Sequence, residues 1–260
     1  MRPQILVTND DGITARGIRA LVEVAAMFGD VTVVAPDSPR SGQGHAITLD
    51  SPLRVRPSNI FDDLNVKSYE CSGTPADCVK WAKHMVAKGR KFDLCLSGIN
   101  HGSNASVNII YSGTMSAAME ASLEGIDSIG FSLLDFAHEA DFIPTQSIAK
   151  TLIQRVLEKG LGHTKLLNVN IPKLPLAEIK GIKVCRQARG FWSEECLEAK
   201  DPNGKPYYWL AGKFTCEDPG EDTDIWALEN GYVSVVPCMH DLTAYPALED
   251  LKNYIPTTYI

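Results

Sequence analysis

The sequence predicts an α/β protein: a doubly wound, mostly parallel sheet carrying a C-terminal β-hairpin extension. Three observations lead there. Short, largely aliphatic runs recur at residues 5–7, 31–35, 92–96, 129–133 and 166–171, without the polar alternation of a half-exposed strand, as in strands buried on both faces of a parallel sheet. Between most of them lie segments whose apolar residues fall at helical spacing, and repeated alternation of the two predicts a doubly wound fold. Beyond about residue 181 the style changes: Phe191, Trp192, Tyr207, Tyr208 and Trp209 gather around Asp201-Pro202-Asn203-Gly204, a hairpin-turn signal.

Composition sets the outer bounds. With 260 residues and 44% hydrophobic content, the chain can bury a sizeable core; residues 1–180 read as that core and 181–260 as an extension holding the hairpin, a final core strand and an oligomerisation tail. The formal net charge of −7 argues against a nucleic-acid polymer as partner, since such binding relies on neutralising phosphates, but leaves room for small anionic ligands. Seven cysteines form an odd set with no Cys-x-x-Cys pair, which speaks against a disulfide framework or a zinc ribbon. Cys95, inside an apolar run, reads as a small core residue. No apolar run approaches the roughly 18 residues that span a bilayer, so the expectation is a soluble, cytoplasmic protein without membrane contact.

The elements follow in order. After the first strand come Asp10, Asp11 and Gly12, then a helix marked by Ile18, Leu21, Val22, Ala25 and Phe28 and closed by Gly29. The second strand empties into a polar, flexible loop from Pro36 to His45, at the same sheet edge as Asp10. Residues 53–55 and 64–70 read as shorter, half-exposed strands. Thr74 as N-cap, Pro75 at the first helical position and Asp77 closing a capping box start the next helix, whose buried face is Cys78, Val79, Ala82, Met85 and Val86. After the strand at 92–96 the polar run Ser97-Gly98-Ile99-Asn100-His101-Gly102-Ser103-Asn104 reads as a second loop at the carboxyl edge. Ser112 or Thr114 then caps a helix bearing Met115, Ala118, Met119 and Leu123. A further helix follows with Ile148, Leu152, Ile153, Val156 and Leu157. In the extension, Glu217-Asp218-Pro219-Gly220-Glu221-Asp222 reads as a solvated acidic loop, and residues 232–236 as a strand. The aromatic hairpin has little chain to cover it and packs on another subunit or on its own domain.

Two readings of Asp10-Asp11 stand side by side: a polar turn capping the next helix, or a pair of metal ligands beyond a buried strand. Neighbouring strand side chains point to opposite faces, so two adjacent acids share a ligand only in the turn past the strand, where Gly12 supports the bend. Three loops converge on this edge and offer Asp10 and Asp11, Ser41 and Asn100, with Ser112, Gly113 and Thr114 nearby. Such oxygen donors suit a hard divalent cation such as Mg²⁺ or Mn²⁺ better than zinc. The expected chemistry is attack on a phosphate ester by a water that the cation activates, with helix-terminal amides and Arg40 stabilising charge.

The segments Thr8-Asn9-Asp10-Asp11-Gly12, Ala35-Pro36-Asp37 with Ser41-Gly42, Gly73-Thr74-Pro75-Ala76-Asp77-Cys78-Val79, Ser97-Gly98-Ile99-Asn100 and Tyr111-Ser112-Gly113-Thr114, taken in order, resemble the SurE (survival protein E) nucleotidases. Further likeness at Asp201-Pro202-Asn203-Gly204, Tyr208-Trp209, Gly231-Tyr232-Val233-Ser234 and Asp241-Leu242-Thr243 extends it over nearly the whole chain. The resemblance implies a Rossmann-like core and a 5′-nucleotidase activity on nucleoside monophosphates, with 3′-nucleotidase and exopolyphosphatase activities as extensions. It implies one divalent cation per subunit at Asp10, Asp11, Ser41 and Asn100, with Asn9, Gly98, Ser112, Gly113 and Thr114 about the phosphate. It also implies a homodimer or homotetramer with exchanged C-terminal elements. Arg40, His45, His101 and Asn104 are candidate contacts to substrate. The chain departs from the family pattern at Arg16, Ser103, Ser106 and Asp222, none of them an expected ligand. A covalent aspartyl phosphatase is disfavoured, since its Asp-x-Asp register puts Asn9 first or Gly12 third. A dinucleotide oxidoreductase lacks its Gly-x-Gly-x-x-Gly turn. A non-catalytic nucleotide-binding stress-response module is the remaining alternative.

Overall fold

The computed structural model describes residues 2–255. In chain order, β1 (Gln4–Thr8), α1 (Arg16–Ala25) and β2 (Asp30–Pro36) form the first unit. Then come β3 (Val55–Ser58), β4 (Lys67–Cys71), α2 (Pro75–Trp81), β5 (Leu94–His101), α3 (Gly113–Leu123) and β6 (Asp127–Leu133). The chain continues through α4 (Ile143–Lys159), β7 (Leu166–Ile171), β8 (Ile182–Val184), β9 (Gly190–Lys200) and β10 (Pro206–Cys216). It closes with α5 (Asp224–Glu229), β11 (Val233–Cys238) and α6 (Leu248–Tyr254).

Nine strands make one sheet in the order β3-β4-β2-β1-β5-β6-β7-β11-β8, and β9 and β10 pair in a sheet of their own. The run β4-β2-β1-β5-β6-β7 is parallel throughout. At the edges, β3 pairs antiparallel to β4, and β11 antiparallel to β7 with β8 parallel beside it. Strand order reverses beside β1: the chain goes outward to β2 and β4, then crosses back to β5. Such a reversal opens a crevice at the carboxyl ends of the strands, where doubly wound folds bind ligands.

Alternate residues of β1 feed two cores. Ile5 and Val7 face α1 and α4 together with Ile18, Leu21, Val22, Ile148 and Ile153. Leu6 faces α2 and α3, joining Val34, Cys78, Val79, Cys95, Ala117 and Ala121. Each fully buried aliphatic side chain contributes roughly 1.5–3 kcal/mol, so β1 is held from both sides and its carboxyl end is a rigid platform. All seven cysteines are free, and burial pushes the Cys95 thiol up to about 12. Among the described residues no helix is long and apolar enough to cross a membrane.

The structure shifts several expected elements. The strand expected at 53–55 lies at Val55–Ser58, on the sheet edge, where Pro57 costs no ladder bond. Residues 64–70 divide into a 3₁₀ turn at Asp62–Leu64 and β4. The polar run after Leu96 is not a loop at first: β5 continues to His101, its pairing with β6 shifting register between Ser97 and Asn100. Past α2 the helix continues as a π turn, Ala82–Val86, and Met85, expected in the core, is 55% exposed. The wider turn rotates it off the apolar face. The acidic loop is not merely solvated, since Arg186 pairs with Asp218 at 2.6 Å and Asp222 at 2.9 Å. That guanidinium holds the Asp218 carboxyl well below the usual range.

The capping box is formed: the Thr74 hydroxyl accepts from the Asp77 N–H at 3.1 Å, and the Asp77 carboxylate accepts from the Thr74 N–H at 2.9 Å. The same carboxylate receives the Thr48 hydroxyl at 2.6 Å, which ties the loop after Ser41 to α2. Thr74→Ala is expected to lower unfolding free energy by about 1–2 kcal/mol, read from urea unfolding; a midpoint within error of wild type would contradict it.

Candidate active site

Asp10 leaves β1 at the switch point and runs directly under the start of α3. Ser112 caps that helix, its hydroxyl accepting from the Met115 N–H at 3.0 Å, and the Thr114 hydroxyl donates to the Asp10 carboxylate. The approach is so close that a Cβ at position 113 would stand 2.6 Å from the Asp10 Cβ. Gly113 is therefore required for the contact. Asp10 is 3% exposed. Burial, reinforced by the Asp11 charge, pushes its carboxyl up to about 6, against the pull of the Thr114 hydroxyl and the backbone amides of Asp10 and Thr114. Burial also raises the Asp11 carboxyl, with His101 opposing.

The other two loops are fastened to this turn. The Arg40 N–H donates to the Asp10 carbonyl at 2.7 Å, and the Ile13 N–H to the Pro36 carbonyl at 2.9 Å. Ser41 follows at once. On the other side, Asn100 is the last residue but one of β5, its amide nitrogen donating to the Gly102 carbonyl at 2.9 Å, which leaves its amide oxygen for another partner. Asp10, Ser41, Asn100, His101, Asn104 and Ser112 all line one cleft of about 680 Å³. Asn9 and Asp11 flank Asp10 in the chain, and Asn9 Oδ1 and Asp11 Oδ2 are buried without a hydrogen-bond partner.

These orphaned oxygens bear on a cation. Buried acceptors are normally paired, and two carboxylates with raised pKa values beside a hydroxyl and an amide oxygen fit a hard divalent ion. Among the described residues no group of three or more His, Cys, Asp or Glu side chains comes together, so the donor set is oxygen-rich with two acids and unlike a zinc cage.

Other expected residues fall differently. Gly98 is buried in β5, joined to Ile99 by a cis peptide, and the Phe131 carbonyl leaves no room for a side chain there. Thr114 is spent on Asp10. Arg40 turns away, donating to the Ser72 carbonyl at 2.8 Å. His45 meets Glu120 at 2.9 Å and lines a separate cavity. His101 packs edge-on against Phe142 at the cleft. Asn104 is held in a buried amide network, its N–H on Asn170 and its side chain on Ser132, both at 2.8 Å. Missing from the sequence reading is the cleft's apolar wall: Tyr111, Phe136, Trp192 and Phe214. The aromatic cluster of the hairpin was the available signal, but nothing in its spacing places the hairpin root beside Asp10.

The family description "Survival protein SurE" matches residues 5–194. The chain belongs to the SurE family. A relative from Christiangramia forsetii, named 5′-nucleotidase SurE, is 60% identical over 253 residues, 97% of each chain. One from Cytophaga hutchinsonii with the same name is 56% identical over 252 residues, covering 97% of this chain and 96% of the relative. The crystal structure of the SurE protein from Aquifex aeolicus is 42% identical and superposes with a TM-score of 0.83, covering 96% of this chain and 99% of that one. In this SurE-family chain the doubly wound sheet and C-terminal hairpin expected from sequence are both present.

An acid whose folded pKa stands above its unfolded value favours folding while protonated. Asp10 therefore supports the metal-free fold below about pH 4, and that support is lost as pH rises through about 6. In chelator, Asp10→Asn should be more stable than wild type by an amount that grows between about pH 4 and 7 and levels off at roughly 2–3 kcal/mol. Urea unfolding of both proteins across that range measures it, and a pH-independent difference would contradict the burial of an unneutralised carboxylate charge.

Proposed function

We propose that this chain is a metal-dependent phosphomonoesterase that removes phosphate from nucleoside 5′-monophosphates. The observation that carries the reading is the buried Asp10 carboxylate, pressed beneath a helix N-terminus beside Asp11 and opening into a cleft with an aromatic wall. The 5′-nucleotidase names of relatives sharing 56–60% of their residues with this chain support it.

Asp10, Asp11, Ser41 and Asn100 would hold one divalent cation, Mg²⁺ or Mn²⁺, which when bound polarises a phosphoryl oxygen and lowers the pKa of water. The chain's own groups do the rest. A carboxylate of the acid pair orients the attacking water and takes its proton. Amides at the start of α3, near Ser112 and Gly113, face the charge on the phosphoryl oxygens, with Asn9 nearby, whereas Gly98, buried within β5, acts only by shaping the strand end that carries Asn100. Tyr111, Phe136, Trp192 and Phe214 offer the nucleoside an apolar surface. His101 and Asn104, at the cleft, are better placed to meet substrate than Arg40 or His45.

A binding module without turnover is not favoured: two carboxylates beside a phosphate repel it unless a cation intervenes, and that arrangement activates the ester. In this reading residues 1–180 are the catalytic core and 181–260 the extension. The exposed Tyr208, Trp209 and Leu210 on the hairpin favour exchange of C-terminal elements in a homodimer or homotetramer. The free cysteines fit the reducing cytoplasm. Turnover of 3′-monophosphates and short polyphosphate belongs to the same site chemistry.

Phosphate release should be measured from nucleoside 5′- and 3′-monophosphates and polyphosphate, with Mg²⁺, Mn²⁺ or excess chelator. Release from 5′-monophosphates is expected with either metal and not with chelator, and Asp10→Asn is expected to lose at least about a thousandfold in kcat while keeping its fold. Undiminished activity in chelator, or near-normal turnover by the variant, would contradict the mechanism.

A further inference from the structure

Ser106 opens the 3₁₀ turn Ser106–Ile110 and has φ of +56°, a conformation in which glycine is at ease and serine is not. It is fully buried. Its hydroxyl donates to the Ala188 carbonyl at 2.9 Å and accepts from the Gly190 N–H at 2.9 Å, spanning more than eighty residues of sequence. Its own N–H donates to the carboxylate of Asp224 at 2.8 Å. Asp224, also fully buried, further accepts from the N–H groups of Ala188 at 2.9 Å and Ile225 at 2.8 Å. The turn, the root of the hairpin and α5 are thus joined at one point.

Each of the three segments carries part of the cleft wall. Asn108 in the turn accepts from the Trp192 indole N–H at 2.8 Å, and Trp192 packs edge-on against Phe214 with ring centroids 5.9 Å apart. At Gly190 a Cβ would come within 2.4 Å of the Phe214 ring and 2.7 Å of the Ser106 hydroxyl, so the root of the hairpin is packed against both. A glycine at 106 would meet the backbone requirement without strain. What serine adds is the bridge from the turn to the hairpin.

We propose that Ser106 is a positioning residue: with Asp224 it sets the Trp192–Phe214 wall and thereby the preference for a nucleoside over a bare sugar phosphate. This rests on the phosphomonoesterase reading above. The phosphate end of the cleft is built from β1, β5 and α3, whereas the wall hangs from the hairpin root, so the two ends are separable in kinetics.

The test is steady-state kinetics of the full-length, metal-supplemented enzyme on AMP and on ribose 5-phosphate, which has the phosphomonoester but no base. Ser106→Ala and Ser106→Gly both lose the bridge and should raise KM for AMP about five- to fiftyfold, with kcat within about threefold and KM for ribose 5-phosphate within about twofold. Ser106→Gly, relieved of the strained φ, should melt above Ser106→Ala while showing the same KM change, which separates positioning from general loss of stability. An unchanged AMP KM in Ser106→Gly, or an equal rise for ribose 5-phosphate, would overturn the proposal. A wild type inert toward both esters would overturn the phosphomonoesterase reading and this proposal with it.

Discussion

The contact between the first turn of α3 and Asp10 is the constraint around which the site is arranged. Gly113 permits it, Ser112 caps the helix that makes it, and the Thr114 hydroxyl completes it on the Asp10 carboxylate. The result is a carboxylate held out of water with a second acid adjacent in sequence, an arrangement that costs several kcal/mol when the charge is unmatched. The helix dipole and first-turn amides offset part of that cost. What remains is a local demand for positive charge at the one place where the strand order of the sheet reverses.

Other parts of the fold serve the same contact. Both faces of β1 are buried, so the turn carrying Asp10 and Asp11 starts from a fixed strand. Farther along α3, the buried Glu120 receives Lys80 from α2 at 2.6 Å and His45 at 2.9 Å. Burial works to raise the Glu120 carboxyl, but His45 and Lys80 hold it below its ordinary value. His45 sits four residues beyond Ser41, so the helix that presses on Asp10 also anchors the loop bearing a proposed cation ligand. Asp77 adds a second anchor to that loop through Thr48.

Much of this was legible in the sequence because local chemistry and global fold agree. Unalternating aliphatic runs marked the parallel strands, Thr74-Pro75-Ala76-Asp77 marked a helix start that forms as read, and Asp201-Pro202-Asn203-Gly204 marked the hairpin turn. The misreadings share a cause, which is that the deciding contact is distant in sequence. Polar Ser97 and Asn100 looked like a loop because the neighbour that extends the strand, β6, begins more than twenty residues later. Met85 falls on the apolar face at helical spacing but not in the fold, because a π turn breaks the 3.6-residue period. Membership of a loop at the sheet's carboxyl edge points Arg40 and His45 toward the site, whereas they bond Ser72 and Glu120. The aromatic wall was invisible for the same reason, since the hairpin root is fixed through Ser106 and Asp224 rather than by anything within the hairpin.

We propose that Asp10 and Asp11 are the carboxylate half of a single cation site. Calorimetric titration of the purified, chelator-stripped protein with Mn²⁺ tests it most directly, independently of substrate. One ion should bind per chain in wild type, with binding weakened at least about a hundredfold in Asp10→Asn. Equal affinity and stoichiometry in wild type and Asp10→Asn would contradict it.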